Sequence, residues 1–320
     1  IKNILLLNKL FANLNFFFFI LLIFLLFACE KKDKEEVIIE DGILKLDQYN
    51  FSSAFSADLI GKWFYKKDEL LSPDLFLEKN LPKADGLLEF NRNWGLSKEL
   101  QELGFKPYGT ATYWIRIKSD KNLMLSLGDI YLMTAFTAFH VNPNARKVQK
   151  IASSGQVGGS LRHQGLDNAK NNILFLDIEK GNSFLVLQIS NFTFPSFGGP
   201  LSQPKIGDPV SILFDNYKKI LSNSLIVGIM IIMGFYHVGL FILRRKEKSY
   251  ILFALICFLF GIRSWFIAGY NSLLFKSFTN DSYLIEYRVE FICNYLLLLF
   301  TGSFLSALLK NSLIKKIDKF

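Results

Sequence analysis

Residues 110–118 read TATYWIRIK, with apolar and polar positions in alternation. Tyr113, Ile115 and Ile117 fall on one face, and Trp114, Arg116 and Lys118 on the other. A period of two is the signature of a strand with one buried and one wet face. The same period recurs at Leu123-Leu125-Leu127, 134–141 (TAFTAFHV), 173–179 (ILFLDIE), 183–190 (SFLVLQIS) and 209–214 (PVSILF). Turn formers separate the segments: Asn142-Pro143-Asn144, Gly155 to Gly159, Lys180-Gly181-Asn182 and Phe197-Gly198-Gly199-Pro200. Helical periodicity is weak, with 96–104 the best short candidate. Many short strands over residues 37–216 predict a β-sandwich, a jelly roll with a single core.

Outward from this block the composition changes. The 320 residues are 51% hydrophobic and 15% aromatic and carry a net charge of +9. That combination excludes a disordered chain, and a basic balance of this size first raises nucleic acid as a partner. Its location answers otherwise. Residues 30–216 hold 22 Lys and Arg against 23 Asp and Glu, a net of −1, whereas the two flanks hold 15 against 5, a net of +10. The excess cation lies beside apolar runs, a pattern of membrane insertion and not of phosphate binding.

The N-terminal flank has Lys2 and Lys9, then FFFFILLIFLLFA, then Cys29 and the charged burst EKKDKEE. This is the order of a signal peptide, expected over 1–28, with a polar tether at 29–36. Leu26-Phe27-Ala28-Cys29 resembles a bacterial lipobox, which makes Cys29 the expected site of lipidation and membrane lipid a partner. An uncleaved anchor or an ordinary signal peptide is the competing reading. Cys257 and Cys293 sit in later apolar runs, where they read as small apolar residues; no disulfide framework or zinc site can be built from them.

The C-terminal flank, 217–309, contains three runs of bilayer length, at about 223–243, 250–270 and 289–309. The first connection, Arg244-Arg245-Lys246-Glu247-Lys248, and the basic tail 310–320, with Lys310, Lys315, Lys316 and Lys319, concentrate the cations. The positive-inside bias places both in the cytoplasm and residues 29–222 outside. Arg263 lies within the second run and Glu290 at the outer start of the third, so an intramembrane ion pair between them is expected. A role for that pair in relaying a signal is the second reading. His237, within the first run, reads as a helix-packing hydrogen bonder or, alternatively, a proton switch.

Four further stretches, DLIGKWFYKKDELLSP (58–73), GTATYWIRI (109–117), TAFTAFHVNPNARKVQKIASSGQVG (134–158) and ISNFTFPSFGGPLSQPKIG (189–207), resemble in order and spacing the extracellular domain of bacterial seven-transmembrane receptors with diverse intracellular signalling modules. SLIVGIMIIMGFYHVGLFILRRKEKSYILFALICFLFGIRSW (224–265) resembles the opening of that family's helical region, particularly in Tyr236-His237 and the RRKEKSY connection. Where family members commonly carry an Asn-Gly turn, this chain has Asn142-Pro143-Asn144. The resemblance implies a jelly roll related to carbohydrate-binding modules, a protein of the bacterial cytoplasmic membrane, and an output module beyond this chain. Three of seven helices fall within it, so a fragment of a longer receptor is the expectation, as the opening at Ile1 also suggests.

A sugar site needs exposed aromatic faces and hydroxyl-binding polar groups. Trp114 with Arg116, and the loop carrying Asn191, Phe192, Phe194 and Phe197, are the candidates. Packing between sheets is the competing role for Trp114, core or loop packing for the phenylalanines, and turn capping for Asn191. His140, His163 and His237 lie in unlike contexts, and no HxxxH, GxSxG, Walker or paired-cysteine motif occurs. GQVGGS at 155–160 is not followed by a helix and makes a poor phosphate cradle. The expectation is therefore a non-enzyme without cofactor, metal or nucleic-acid partner: the input half of a sensory receptor for a small or glycan ligand, served by a separate cytoplasmic effector. A membrane-tethered carbohydrate-binding or envelope structural module is the alternative, and a glycan-directed enzyme a weak third.

Overall fold

A computed structural model describes residues 36–51, 55–128, 134–158, 173–192, 198–267 and 282–317. The expected signal peptide 1–28, Cys29 with the expected tether up to Glu35, His163, Phe194, Phe197, residues 268–270 of the second expected span and the last three residues of the tail lie outside the described residues.

Eleven strands occur among the described residues: β1 (Glu36–Glu40), β2 (Ile43–Lys45), β3 (Ser56–Lys67), β4 (Gly86–Glu89), β5 (Gly109–Ser119), β6 (Leu123–Gly128), β7 (Ala135–Asn142), β8 (Lys147–Ser154), β9 (Leu174–Ile178), β10 (Gly181–Asn191) and β11 (Lys205–Gly207). The helices are α1 (Lys98–Glu102), α2 (Pro209–Leu243), α3 (Lys248–Ile267) and α4 (Ser282–Ile317). Short 3-10 turns lie at Leu46–Gln48 and Pro73–Leu77.

The strands build a two-layered sandwich of jelly-roll type. One layer runs β8-β7-β10-β5 and continues into the C-terminal half of β3, which pairs with β4 and β5. The other holds β1, the N-terminal half of β3, β11, β6 and β9. β3, twelve residues long, belongs to both layers and folds one over the other. β5 pairs with β10 along its whole length, Gly109 opposite Asn191 and Ser119 opposite Gly181.

The period-two residues meet in the core as their alternation requires. Tyr113, Ile115, Ile117, Leu185, Leu187 and Phe136 from the first layer pack with Leu59, Leu125, Leu127, Leu174, Leu176 and Ile206 from the second. Each buried aliphatic side chain of this kind contributes about 1.5–3 kcal/mol. Aromatics close one end: Trp63 stacks on Phe90 at 4.4 Å, and the Trp94 indole N–H donates to the Tyr113 hydroxyl at 2.9 Å. At the β7–β8 hairpin the Asn142 carboxamide oxygen accepts from the Asn144 and Ala145 amides, so the Asn-Pro-Asn tip is an Asx turn, with Arg146 at φ +50°.

The segment 209–214, expected as a strand, is instead the start of α2. Asp208 accepts from the Val210 and Ser211 amides and Pro209 occupies the first helical position, a start signal that outweighs a short alternation. The helix then runs unbroken for 35 residues, roughly 52 Å at 1.5 Å per residue. Pro209–Leu243, Lys248–Phe266 and Arg288–Leu309 are long and apolar enough to cross a membrane. α2 meets α3 where Gly234 lets the Phe258 ring approach its backbone and where Gly261 lies against Met230 and Ile231. α3 meets α4 through Phe253 and Phe304, whose rings are 5.5 Å apart.

Candidate ligand face and helix joint

Along β5 the outward side carries Trp114, Arg116 and Lys118, which sequence alternation predicts to be wet, with Thr112 and Trp114 at its centre. Trp114 is not wet, and Thr112 beside it is fully buried. A strap of chain, residues 69–85, crosses this face and seals it. Its 3-10 turn sets Phe76, 0% exposed, with ring centroids 5.5 Å from both Trp114 and Phe184. Phe64 stacks on the other side of Trp114 at 5.7 Å, and Leu71, Val141 and Val186 complete a second, smaller core. Trp114 is left 3% exposed and presents no ring face to solvent.

The strap is held by polar contacts that the sequence pattern did not single out. Thr112, fully buried, accepts from the Leu71 amide at 3.0 Å through its hydroxyl and donates to the Glu69 carbonyl at 2.8 Å. The Gln188 carboxamide donates to the Leu71 carbonyl at 2.8 Å. Ser72 and Pro73 start the turn, with the Ser72 hydroxyl donating to Asp74. Such mid-strand polar residues carry no periodic signal; only the fold brings 69–71 over 112 and 188.

Arg116 is half-buried at the end of this face. Its Nε donates to Asn182 at 3.1 Å, and its backbone amide donates to the Gly42 carbonyl in the β1–β2 turn. That turn needs glycine: Gly42 sits at φ +75°, and a Cβ there would collide with the Phe64 ring.

Asn191 lies elsewhere. Five residues along β10 from Val186, the partner of Trp114, it is roughly 17 Å away at 3.4 Å per residue. Its buried carboxamide donates to the Pro107 carbonyl at 2.6 Å. Beyond it the Trp94 amide donates to the Gly198 carbonyl, and the indole lies against Gly198 and Gly199 so closely that any Cβ there would clash. Phe192, next to Asn191, is half-buried. Trp114 and Arg116 share a face; Asn191 and Phe192 do not join them.

His140 is the other buried polar group of note. It faces the core from β7 with Nε2 lacking a partner among the described residues, and burial pushes its imidazole below the ordinary range, against the opposing pull of Asp177 and Glu179. Nearby, Asn142 donates to Glu179 at 2.8 Å, tying β7 to the end of β9. No group of three His, Cys, Asp or Glu among the described residues is placed to hold a metal.

Below the sandwich, α2 is docked by its first turns. Gly128 on β6 leaves room for Ile212, which is buried, with 2.8 Å between a Cβ built at 128 and Ile212 Cγ2. Asp215 accepts from the Ser56 hydroxyl at 3.0 Å and lies 3.6 Å from the Lys205 ammonium. Deeper in the helices, Arg263 and Glu290 are 3.6 Å apart. His237 contacts its own helix through Nδ1 and the Met233 carbonyl at 2.9 Å, with its ring 4.4 Å from Phe253.

Comparison with known proteins gives one family and several distant folds. Residues 219–320 match the family model described as 7TM diverse intracellular signalling. No curated protein matches the chain. Among solved structures, a GH2 β-galacturonidase from Eisenbergiella tayi bound to galacturonate is similar at 13% identity, covering 48% of this chain and 24% of that one, with a TM-score of 0.29. A family 35 carbohydrate binding module from Clostridium thermocellum is similar at 11% identity over 32% of this chain and 72% of its own, TM-score 0.20. The CBM35 from Cellvibrio japonicus Abf62 is similar at 12% identity over 48% and 92%, TM-score 0.22. This chain thus spans about a quarter of the galacturonidase, and likeness at this level identifies no ligand for it.

Proposed function

We propose that this chain, whose residues 219–320 match the family model described as 7TM diverse intracellular signalling, is the input half of a bacterial transmembrane receptor. The sandwich lies outside the cytoplasmic membrane and binds a small ligand, with glycans the first class to test. The loop Arg244 to Lys248 and the C-terminus lie in the cytoplasm, by the positive-inside bias. Cys29 is the proposed lipid anchor. The chain itself carries out no catalysis and relays to a cytoplasmic output module.

The observation that carries this reading is the absence of slack between sandwich and membrane. One residue, Asp208, separates β11 from α2, and α2 then docks on the sandwich through Ile212 and Asp215 before continuing to Leu243. A module that merely tethers a binding domain gains nothing from such a joint. A receptor needs it, because a ligand shifts helix packing only if sandwich and helix move as one body and the ligand binds one arrangement more tightly.

For the ligand, Arg116 offers a half-exposed guanidinium at the rim of the strap, with Trp114 as the packed floor beneath. The loop bearing Phe192, Phe194 and Phe197, rooted by Asn191, is the second candidate. The Arg263 and Glu290 pair would join α3 to α4 as the helices respond.

The test uses the full chain in nanodiscs on a glycan array, followed by spin-label distances between the cytoplasmic ends of α2 and α4. Binding that Arg116→Ala weakens at least tenfold, with a distance change on saturation, is the expected result. Failure to bind any glycan removes the carbohydrate class. Binding with helices unmoved overturns the relay and leaves the tethered module.

A further inference from the structure

The segment of α2 between sandwich and membrane has two faces, and one of them is open. Ile212 and Asp215 point to the sandwich. Val210, Phe214, Tyr217 and Leu221 are 74%, 58%, 64% and 63% exposed. At 100° per residue the four open positions fall within about 60° of one another, centred about 160° from the docking pair. Their spacing of four, three and four is the a/d repeat of a coiled-coil seam. The flanking positions Leu213 and Ile220 are apolar, and Lys218 borders the stripe with its ammonium 4.4 Å from the Phe214 ring.

The same stripe continues into the membrane by an independent signal. The next seam positions are Ser224 and Gly228, a small-xxx-small pair, and the space above Gly228 is open. Small residues four apart are what lets two membrane helices approach closely. An apolar heptad outside the bilayer and a close-approach motif inside it thus share one line on one helix.

We infer that the 210–228 stripe of α2 is a parallel homodimer seam along which two copies of this chain pair. Anchoring in one bilayer gives both copies the same direction and height, so the stripe meets itself in register about a two-fold axis along the membrane normal. Lipid is a poor occupant of the upper part. With the apolar span starting near 223, Phe214 and Val210 stand roughly 13 and 20 Å above it along the helix, beyond a headgroup layer of about 5–8 Å. With an aromatic side chain worth about 150–250 Å², the four exposed residues offer on the order of 450 Å² per copy. Two copies bring about 900 Å² together, near the ~1,000 Å² at which specific interfaces begin, and confinement to a membrane raises the effective concentration further. The pairing does not depend on which ligand the sandwich takes.

The test is a cysteine scan of positions 210–221, one at a time, in the full chain in native membranes, with Cys257→Ala and Cys293→Ala in the background and the parent lacking an introduced cysteine as baseline. Mild oxidation is expected to give dimer at 210, 214, 217 and 221 at least fivefold above 212, 215 and 219. Gly228→Ile is expected to cut dimer formation at Tyr217→Cys several-fold without altering the trypsin resistance of the sandwich. A flat scan, maxima on the 212 and 215 face, or insensitivity to Gly228→Ile overturns the seam. Labelling of positions 210 and 214 by a lipid-phase reagent in place of cross-linking assigns the face to the bilayer and overturns it equally.

Discussion

The joint between sandwich and α2 can be broken in parts, and the parts are unequal. Ile212→Ala removes a buried side chain seated over Gly128, a change that costs about 2–5 kcal/mol in a packed site. Asp215→Ala removes the acceptor of the Ser56 hydroxyl, worth about 1.5–3 kcal/mol where one partner is charged, together with the Lys205 ion pair. Lys205→Ala removes the 3.6 Å ion pair to Asp215, whose side chains are 26% and 32% exposed, and such a pair contributes about 0–1 kcal/mol. Packing therefore dominates and the ion pair is nearly dispensable. Hydrogen exchange on the full chain reads this directly, since undocking leaves both sandwich and membrane span folded. A loss of about 2.8 kcal/mol corresponds to roughly a hundredfold faster exchange at the amides of 212–216. Ile212→Ala should show that, with the β5 amides 111–117 unchanged. Lys205→Ala should change the 212–216 amides by less than about fivefold, the equivalent of 1 kcal/mol. Equal effects of the two substitutions, or no change with Ile212→Ala, would refute the reasoning.

Thr112→Val keeps the shape of the strap anchor but leaves the Leu71 amide and Glu69 carbonyl without their partner; a loss of about 1–3 kcal/mol is expected, seen as faster exchange across 69–77 while β10 stays protected. Phe76→Ala should release the same strap at a cost of about 3–5 kcal/mol and raise quenching of Trp114 in a variant with Trp63, Trp94 and Trp265 replaced by Phe; unchanged quenching would show that the second core has another cover. Burial lowers the His140 pKa, so as pH falls below about 6.5 the unfolded chain binds a proton that the folded sandwich refuses, and stability drops with pH across that window. His140→Phe should flatten the acid side of a thermal-denaturation profile between pH 7 and 5, and an unaltered slope would assign it to other groups. Arg263→Leu and Glu290→Leu should each lower thermal stability in detergent, and the double variant should recover part of the loss, because one uncompensated charge is worse than none.

How far the sequence could be read depended on whether each feature was periodic. Strands such as β5, β7 and β10 were legible because alternation is a local signal, and the residues it placed inward, Tyr113, Ile115, Leu185 and Leu187, are those of the main core. The same rule failed on the outward side of β5. Nothing in TATYWIRIK reports that residues 69–77, some forty positions earlier, return to cover Trp114, since the strap is held by Thr112 and Gln188 at single, aperiodic positions. Alternation thus set Trp114 and Arg116 on one side of β5 but could not report that Trp114 is covered.

The failure at 209–214 is of a different kind and bears on function. PVSILF alternates well enough for a short strand, but six residues are too few to separate a period of two from one of 3.6, and Asp208-Pro209 is the stronger signal because it satisfies helix amides directly. Moving this segment from sheet to helix changes what the chain can do. As a strand it would have ended the sandwich and left a linker before the membrane. As the first turns of α2 it removes the linker, puts Ile212 on the sandwich and leaves Val210 and Phe214 on the opposite face. One helix then has to satisfy the sandwich on one side and a second helix on the other, so a rotation of the sandwich on binding ligand would turn the seam as well.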